Sequence, residues 1–168
     1  MKIAIIGYSG SGKSTLCRFI SDYYKINKLH LDSVQFVDDW EVRQITEQED
    51  RVSKFLEDNE EWVIDGNYSH LFLNQRLNEA NKIIFMDFNR FNCFFRVIKR
   101  YIKYHNKTRE DLNGNCKEKL DLEFIWWVLY EGRDKSKFES VKNKYPNKLI
   151  TISNQKQLDL FMNNISLQ

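Results

Sequence analysis

The sequence predicts an α/β protein in which strands and helices alternate around a parallel sheet. Two observations lead to this prediction. Short apolar runs of strand length recur along the chain and stop at polar or glycine-containing turns, and stretches with apolar residues at helical spacing lie between most of them. This alternation is typical of βαβ units. The length of 168 residues fits one domain, so we expect a single domain over residues 1–168.

The first strand is predicted at residues 2–6, where the apolar run KIAII stops at a glycine-rich loop. The first helix follows at 14–24, because the apolar residues after the loop recur at helical spacing. A capping box of Thr46 and Glu49 predicts the start of another helix. Further strands are predicted at 28–31, 62–64, 82–88 and 148–152, and further helices at 46–58, 91–105, 122–130 and 155–165. The polar stretch 106–119 is the candidate for a mobile loop or lid.

Composition excludes several classes of protein. Hydrophobic residues make up 42% and aromatic residues 14%, which excludes a disordered or low-complexity chain. No apolar run approaches the ~18 residues of a membrane span, so no membrane partner is expected. The three cysteines are scattered and odd in number, which favours a reducing compartment. We therefore expect a cytoplasmic protein.

Charge is nearly balanced over the chain, at +2, but it is unevenly placed. Residues 1–88 contain 10 basic and 15 acidic residues, whereas residues 89–148 contain 15 basic and 8 acidic residues. The second half therefore carries a basic patch. The patch fits an anionic partner, either nucleotide phosphates or a nucleic acid backbone. Alternatively, its charges only keep the protein soluble.

The glycine-rich loop between the first strand and the first helix is the strongest functional signal. Residues 7–14, GYSGSGKS, match the pattern G-x-x-x-x-G-K-[ST] of phosphate-binding loops. Glycines let backbone N–H groups turn towards an anion, and the positive end of the helix dipole adds to the attraction. In such loops the lysine contacts the β- and γ-phosphates and the hydroxyl after it binds Mg²⁺. We therefore expect Mg²⁺ with ATP or another nucleoside triphosphate, bound by Gly7, Ser9, Gly10, Ser11, Gly12, Lys13, Ser14 and Thr15.

A phosphate-binding loop of this kind needs a carboxylate on its Mg²⁺ side, at the end of a neighbouring strand. Asp65 follows the apolar run Trp62–Ile64 and precedes Gly66, and Asp87 follows the apolar run Ile83–Met86. Either carboxylate fits the role. Asp65 is favoured, because the glycine after it allows the backbone to turn sharply beside a bound nucleotide.

Asp32 ends the predicted second strand, at the sheet edge where open α/β sheets bind their ligands. A carboxylate there can accept a hydrogen bond from an acceptor hydroxyl or act as a general base. A helix-cap or turn residue is the alternative interpretation. His30 lies two residues earlier on the same strand face, and a single histidine favours structural hydrogen bonding.

A basic stripe lies in the second half of the chain. From residue 90 to residue 109 there are seven basic and no acidic residues, and Arg96, Arg100, Lys103 and Lys107 recur along one helix face. Guanidinium groups in such a stripe suit the stabilisation of a transferred phosphoryl group. The core-facing stripe of the same helix is predicted to consist of Phe91, Phe94 or Phe95, Ile98, and Tyr101 or Ile102.

The sequence shows no motif for zinc binding or for hydrolase chemistry. Cys93 and Cys116 lack partners at zinc-ligand spacing, and no G-x-S-x-G sequence indicates a hydrolase. Trp126 and Trp127 lie inside an apolar run, which favours a core position or a dimer contact over a platform that stacks bases.

Several segments together resemble the bacterial DNA topology modulation proteins, which are small P-loop proteins of the adenylate-kinase-like superfamily of nucleoside and nucleotide kinases. The segments are GYSGSGKST at 7–15, HLD at 30–32, WVIDGNY at 62–68, RVIKRYIKY at 96–104, KTRED at 107–111 and CKEKLDLEFIWW at 116–127. The first is common to P-loop proteins in general, whereas HLD, DGNY and LDLEF are more specific. The resemblance covers residues 1 to about 130.

This resemblance implies a three-layer α/β/α fold with a five-stranded parallel sheet in the order 2-3-1-4-5 and a helical lid at about 96–135. It also implies that Asp65 serves Mg²⁺, that Asp32 lies on the acceptor side, and that Arg100 and Arg109 contact phosphates from the lid. Adenylate kinases carry a DGFPR-like segment after the third strand, and the corresponding residues here, DGNYSH, lack its proline and arginine. An AMP acceptor site of the standard kind is therefore not indicated.

Taken together, the residues and the resemblance favour a P-loop kinase that transfers the γ-phosphoryl group of ATP to a small-molecule acceptor. Its predicted catalytic residues are Lys13, Asp32, Arg100 and Arg109. Two alternatives remain: a nucleotide-responsive regulator of DNA topology with slow hydrolysis, and a protein that binds the DNA backbone directly through the basic stripe. The net charge of +2 and the lack of a DNA-binding motif argue against the second alternative. The sequence identifies neither the acceptor nor the oligomeric state.

Overall fold

The computed structural model describes residues 1–105, 116–118 and 120–166, with the backbone alone for residues 137 and 166. The strands are β1 (Lys2–Gly7), β2 (Asn27–His30), β3 (Trp62–Asp65), β4 (Lys82–Met86) and β5 (Leu149–Ile152). The helices are α1 (Lys13–Tyr24), α2 (Leu31–Gln35), α3 (Ile45–Asp58), α4 (Leu73–Glu79), α5 (Arg90–Lys103), α6 (Leu122–Leu129), α7 (Ser136–Lys144) and α8 (Gln155–Ser166). Short 3₁₀ turns lie at Asp38–Trp40 and Glu131–Arg133.

The five strands form one parallel sheet in the order β2-β3-β1-β4-β5, with helices on its flanks. This confirms the predicted fold class and the strand order that the resemblance implied. The central strands are buried along almost their whole length, which is why they read in the sequence as continuous apolar runs rather than as alternating ones.

Pairing register brings the functional segments to one edge of the sheet. Asp65 at the end of β3 lies opposite Ile5 on β1 and opposite His30 on β2. Gly7 at the end of β1 pairs with Met86 at the end of β4. Because the strands are parallel, their carboxyl ends meet at the same edge, and the glycine-rich loop, Asp65 and the residues after β2 lie side by side there.

The hydrophobic core lies between the sheet and its flanking helices. Helix α1 buries Leu16, Cys17 and Ile20 against the sheet. Trp62 at the start of β3 is completely buried. At the other end of β3 the chain turns at Gly66, whose φ is +134° and where a Cβ atom would lie 2.8 Å from the Cβ of Leu31. The close packing at this turn keeps the loop after β3 against the end of β2.

Two local predictions were wrong. β2 ends at His30, and Asp32 lies in the first turn of the short helix α2 rather than at the end of a strand. Helix α3 begins at Ile45 with Gln44 as its cap residue, so Thr46 lies inside the helix and forms no capping box. The helices α2 and α4 were not predicted, because five and seven residues are too few to establish a helical period.

The predicted core-facing stripe of α5 was wrong in part: Phe94, one of its alternatives, is half-buried and packs against the core, but the most buried residues lie on another face. Phe91, Phe95 and Ile102 are 63%, 64% and 71% exposed, whereas Cys93 and Val97 are buried. The inward face therefore runs through positions 93, 96, 97 and 100 and includes two arginines of the basic stripe. The physical reason is the close contact of this face with the glycine-rich loop, which leaves space for small side chains and for arginine stems rather than for phenylalanine rings.

Some predictions fall on residues 106–115 and 119, which lie outside the described residues. They include the roles of Lys107 and Arg109 and most of the polar stretch 106–119. Among the helices that the structure describes, none combines the length and the apolar character needed to cross a bilayer.

Candidate functional site

The glycine-rich loop forms a tight turn against α5. Gly10 has a φ of +74°, and a Cβ atom there would lie 2.6 Å from the carbonyl oxygen of Cys93 and 2.8 Å from the Cγ2 of Val97. Only glycine fits this position without moving backbone atoms. The Ser11 amide donates a 3.2 Å hydrogen bond to the Tyr8 carbonyl and closes the turn, and Gly12 then leads into α1. The loop therefore lies directly before the positive end of a twelve-residue helix.

Lys13 folds back over this loop. Its ammonium donates hydrogen bonds of 3.0 Å to the carbonyl oxygens of Gly7 and Tyr8. Burial lowers the pKa of Lys13, and the nearby carboxylates of Asp32 and Asp65 oppose that shift. The ammonium is thus poorly hydrated beside the loop. A phosphate bound there would offset the cost of burying its positive charge.

Further features of the loop fit a phosphate group. Ser11 is completely buried, and its hydroxyl oxygen has no hydrogen-bond partner among the described residues. Ser9 lines the cavity described below, whereas Thr15 is exposed in the first turn of α1. A buried hydroxyl, an ammonium and a helix start around a glycine turn form a donor set suited to an anion with several oxygens.

Asp65 is the centre of the metal-binding candidate. The Ser14 hydroxyl donates a 2.9 Å hydrogen bond to one oxygen of the Asp65 carboxylate, and the Nδ1 of His30 lies 2.5 Å from the other. A hydroxyl and a carboxylate are ligands that Mg²⁺ prefers. Of the two carboxylates predicted for this role, Asp65 contacts Ser14, whereas Asp87 acts electrostatically on Tyr8 and contributes, after burial, to raising its pKa.

Asp32 lines the same space as Lys13, and its carboxylate is near enough to oppose the lowering of the Lys13 pKa by burial. The Tyr68 hydroxyl donates a 2.8 Å hydrogen bond to Oδ1 of Asp32. Asn67, next to Tyr68, joins the loop after β3 to the start of the glycine-rich loop: its amide oxygen accepts from the Gly7 amide at 3.0 Å, and its amide nitrogen donates to the Gly7 carbonyl at 2.7 Å. The DGNY segment therefore connects the phosphate side to the Asp32 side.

Arg76 holds the backbone of this segment through hydrogen bonds. It is completely buried, and its guanidinium donates to the carbonyl oxygens of Leu71 at 2.7 Å, Tyr68 at 3.0 Å and Gly66 at 3.4 Å. Burial lowers its pKa to about 10. An arginine directed entirely at backbone carbonyls fixes the path of the loop that carries Tyr68.

A cavity of about 780 Å³ joins these groups. Lys13, Asp32 and Tyr68 all line it. Its volume is within the range of small-molecule sites, which is ~300–1,000 Å³. One continuous space therefore runs from the phosphate-binding loop to a carboxylate that a tyrosine orients.

Arginines of the basic stripe are directed inward. Arg100, which lines the cavity, donates from Nε at 2.7 Å and from Nη2 at 2.6 Å to Oε1 of the buried residue Glu118. Arg96 donates to the Ser11 carbonyl at 2.5 Å and to the Gln155 side chain, and its guanidinium lies 4.1 Å from the centre of the Phe88 ring. The two groups approach the glycine-rich loop and the cavity rather than open solvent.

The site combines residues that the sequence analysis singled out with others that it missed. Ser9, Lys13, Asp32 and Arg100 line one cavity, and Ser14 and Asp65 contact each other next to Lys13. Arg109 lies outside the described residues. The missed residues are Asn67, Tyr68, Arg76 and Glu118. The DGNY segment of the resemblance was a signal for the first two, and Glu118 lies in its segment 116–127, whereas nothing local to Arg76 distinguishes it from a surface charge.

No family model matches this sequence, and no curated protein matches it. Many solved structures are similar in fold, and three of them are described here. Shikimate kinase from Acinetobacter baumannii, in complex with shikimate, is 12% identical with a TM-score of 0.60, covering 99% of this chain and 91% of that one. A candidate kinase from Chloroflexus aurantiacus is 13% identical with a TM-score of 0.56, covering 99% and 95%. An uncharacterised protein from Eubacterium ventriosum is 16% identical with a TM-score of 0.51, covering the whole of both chains. The chain therefore has the fold of P-loop kinases, and at these identities the likeness shows the fold alone.

Proposed function

We propose that the protein is a Mg²⁺-dependent phosphotransferase that moves the γ-phosphoryl group of ATP to a hydroxyl group of a small molecule. The observation that carries the proposal is the single cavity shared by Lys13 and Asp32. A nucleotide phosphate held at the loop and a hydroxyl held at the carboxylate would then face each other without a wall between them. Positioning of this kind supplies most of the catalysis in phosphoryl transfer.

The phosphate end of the reaction rests on the loop. The backbone N–H groups of residues 7–14 and the Lys13 ammonium would hold the β- and γ-phosphates, and Ser14 with Asp65 would hold Mg²⁺. When bound, Mg²⁺ neutralises charge on the phosphate oxygens. His30 keeps the Asp65 carboxylate in one orientation through its contact with Oδ1.

The acceptor end rests on Asp32. The acceptor hydroxyl loses its proton to the Asp32 carboxylate as its oxygen forms a bond to the γ-phosphorus, while the bond between that phosphorus and the β,γ-bridging oxygen breaks and ADP leaves. Tyr68 donates to Oδ1 of Asp32 and so orients the carboxylate for this transfer. We assign Arg100 to the phosphate side, because it lines the same cavity as Lys13.

We further infer that residues 1–168 are one domain in which a helical lid of about residues 96–135 covers the cavity. Two contacts support this assignment. The Trp40 indole N–H donates a 2.6 Å hydrogen bond to the Lys117 carbonyl, and Arg100 pairs with Glu118 across the cavity wall. These two contacts join residues 117 and 118 to α5 and to the turn after α2. Arg109, which lies outside the described residues, belongs to the same proposed lid by the resemblance.

The alternative of direct binding to the DNA backbone has less support. Arg96 and Arg100 are engaged with protein oxygens at the loop and the cavity, so they do not form an outward basic face. The remaining alternative, a regulator with slow hydrolysis, shares the loop and the Mg²⁺ ligands with a kinase. The two differ in whether an acceptor binds beside Asp32.

A thermal melt tests the proposal. Mg·ATP analogue at 100 times its Kd should stabilise the protein by roughly 2.7 kcal/mol, a shift of several degrees. An acceptor added with the analogue should raise the melting temperature above either ligand alone. Lys13→Ala should abolish the shift by the analogue. Binding of the analogue with no additive acceptor effect over a broad panel would instead support the regulator.

A further inference from the structure

Helices α5 and α6 carry most of the large apolar side chains that are exposed to solvent. Among the described residues eleven such side chains are exposed, and seven of them lie on α5, on α6 or directly after α6. One of the seven, Trp127, lines the cavity. The other six do not line it, and they form a surface that we call the outer apolar face: Phe91, Phe95, Ile102, Leu122, Trp126 and Tyr130.

The outer apolar face consists of two stripes. On α5 the apolar positions 91, 95 and 102 recur at helical spacing, on the side opposite the buried residues Cys93 and Val97. On α6 and the residue after it the apolar positions 122, 126 and 130 recur every four residues, opposite the buried residue Val128. Both stripes therefore point away from the core.

The two stripes lie side by side, because α5 and α6 pack against each other and run in opposite directions. The Arg90 guanidinium at the start of α5 lies 5.3 Å from the ring centre of Tyr130, which follows α6. Near the end of α5, Arg100 pairs with Glu118, which precedes α6. The six side chains therefore form one surface across a helix pair, unlike the single exposed apolar residues that are normal on proteins.

The area of the outer apolar face is close to what a stable dimer needs. Its side chains are 51–84% exposed. An aromatic side chain has ~150–250 Å² of surface, so the four rings alone present roughly 500 Å² to solvent. With Ile102 and Leu122 the exposed area passes the ~300–600 Å² of the largest apolar patch on a typical monomer and approaches the ~800 Å² that each partner buries in a standard interface.

Charged residues beside the outer apolar face are divided between the two helices. All charged residues in the range 90–103 are basic, and all charged residues in the range 121–131 are acidic. Lys99 and Lys103 on α5 are exposed, and so are Glu123 on α6 and Glu131 after it. A two-fold axis that places α5 of one copy against α6 of another would therefore pair opposite charges at two places, whereas α5 against α5 would pair like charges.

We propose that the outer apolar face binds the same face of a second copy of this chain, with α5 of each copy against α6 of the other. This dimer does not depend on the proposed phosphotransfer. It explains why Phe91, Phe95 and Ile102 have the sequence pattern of a buried stripe although a single chain exposes them. An anionic membrane fits the face less well, because Glu123 and Glu131 would face its negative surface.

Sedimentation velocity over a concentration range of about 1–100 µM tests the proposal. The wild type should sediment as a dimer at the upper concentrations. Phe95→Glu should raise the dissociation constant of the dimer at least about thirtyfold, because it places a charge in the centre of the face. Leu160→Glu is the matched control, because Leu160 is 52% exposed on α8, outside the face, and this variant should dimerise like the wild type. A thermal melt checks that each variant is folded.

Exchange of charges tests the pairing of α5 with α6. One variant carries Lys99→Glu with Lys103→Glu, and a second carries Glu123→Lys with Glu131→Lys. Each variant alone should self-associate more weakly than the wild type, because its two helices then carry like charges. An equal mixture of the two should dimerise more strongly than either variant alone, because each α5 then meets an α6 of opposite charge.

Four results would overturn the proposal. A wild type that stays monomeric up to about 100 µM would show that the face does not bind a second copy. Dimerisation of Phe95→Glu as strong as that of Leu160→Glu would place the contact elsewhere on the chain. A mixture of the charge variants that pairs no better than its components would exclude α5 against α6. A monomer that floats with vesicles of phosphatidylcholine and phosphatidylserine, and loses this binding in Phe95→Glu, would assign the face to a membrane instead.

Discussion

Replacing Arg76 with methionine is expected to damage both the stability of the protein and its acceptor site. Arg76 is completely buried, and all its described hydrogen bonds go to backbone carbonyls of the loop after β3. That loop carries Tyr68, which orients Asp32. The Arg76→Met variant keeps most of the buried stem and removes the donors, so it isolates the contribution of the guanidinium.

The magnitude follows from the three contacts. The bonds to Leu71 at 2.7 Å and Tyr68 at 3.0 Å are well formed, whereas the bond to Gly66 at 3.4 Å is long. Each buried carbonyl left without a donor costs ~1–3 kcal/mol. Removal of a buried charge offsets part of this loss, because burial already lowers the pKa of Arg76 to about 10. We therefore expect a net loss of roughly 2–4 kcal/mol, or about 5–15 °C in melting temperature for a chain of this size.

Urea unfolding and thermal melts measure this loss. Arg51→Met is the matched control, because Arg51 is half exposed on α3 and, among the described residues, pairs with the exposed Glu47, an interaction that solvent screens. ADP formation should be assayed well below the melting temperature of the variant, where a fall in kcat reports the displacement of Tyr68. A variant as stable as the wild type would refute the reasoning, because it would mean that water satisfies the three carbonyls equally well.

Three further predictions concern the phosphate and metal groups. Lys13→Met should leave the melting temperature of the ligand-free protein unchanged or higher, because burial disfavours the charged ammonium, yet it should abolish stabilisation by Mg·ATP; a large destabilisation without ligand would contradict this. Asp65→Asn should raise the Mg²⁺ concentration needed for half-maximal activity by at least about tenfold, whereas Asp87→Asn should change it little, as a Mg²⁺ titration of both variants would show. Tyr68→Phe should lower kcat several-fold with the KM of ATP unchanged, because it removes the donor to Asp32; an effect confined to the KM of ATP would place Tyr68 on the nucleotide instead.

The phosphate end of the site could be predicted because its chemistry is local. Gly7, Lys13 and Ser14 lie within one segment, residues 7–14, and their spacing itself encodes the turn and the helix start that bind phosphate. Asp65 could be proposed because a parallel sheet brings the ends of its strands to one edge. The strand order came from the resemblance of several segments rather than from any periodicity, and the sheet confirms it.

The acceptor end could not be predicted in the same way, because its contacts join distant segments. In the sequence nothing distinguishes Arg76 from a surface arginine, because its burial depends on the path of the loop after β3. Glu118 and Arg100 are 18 positions apart, and Trp40 and Lys117 are 77 apart. On α5 the two apolar stripes are nearly equivalent in sequence, and the choice between them depends on the contact of Gly10 with Cys93 and Val97. Helical periodicity identifies a face but not its partner.

The central claim is that phosphate leaves ATP at the loop and arrives on a small molecule held at Asp32. The most direct measurement follows radiolabel from γ-labelled ATP in the presence of Mg²⁺ and a panel of small molecules that carry a hydroxyl group, with Asp32→Asn and Lys13→Ala beside the wild type. We predict a labelled organic product from the wild type, a loss of at least about a hundredfold in its formation with Asp32→Asn, and none with Lys13→Ala. Label found only in inorganic phosphate, at the same rate with and without the panel, would contradict the claim and identify a nucleotide hydrolase.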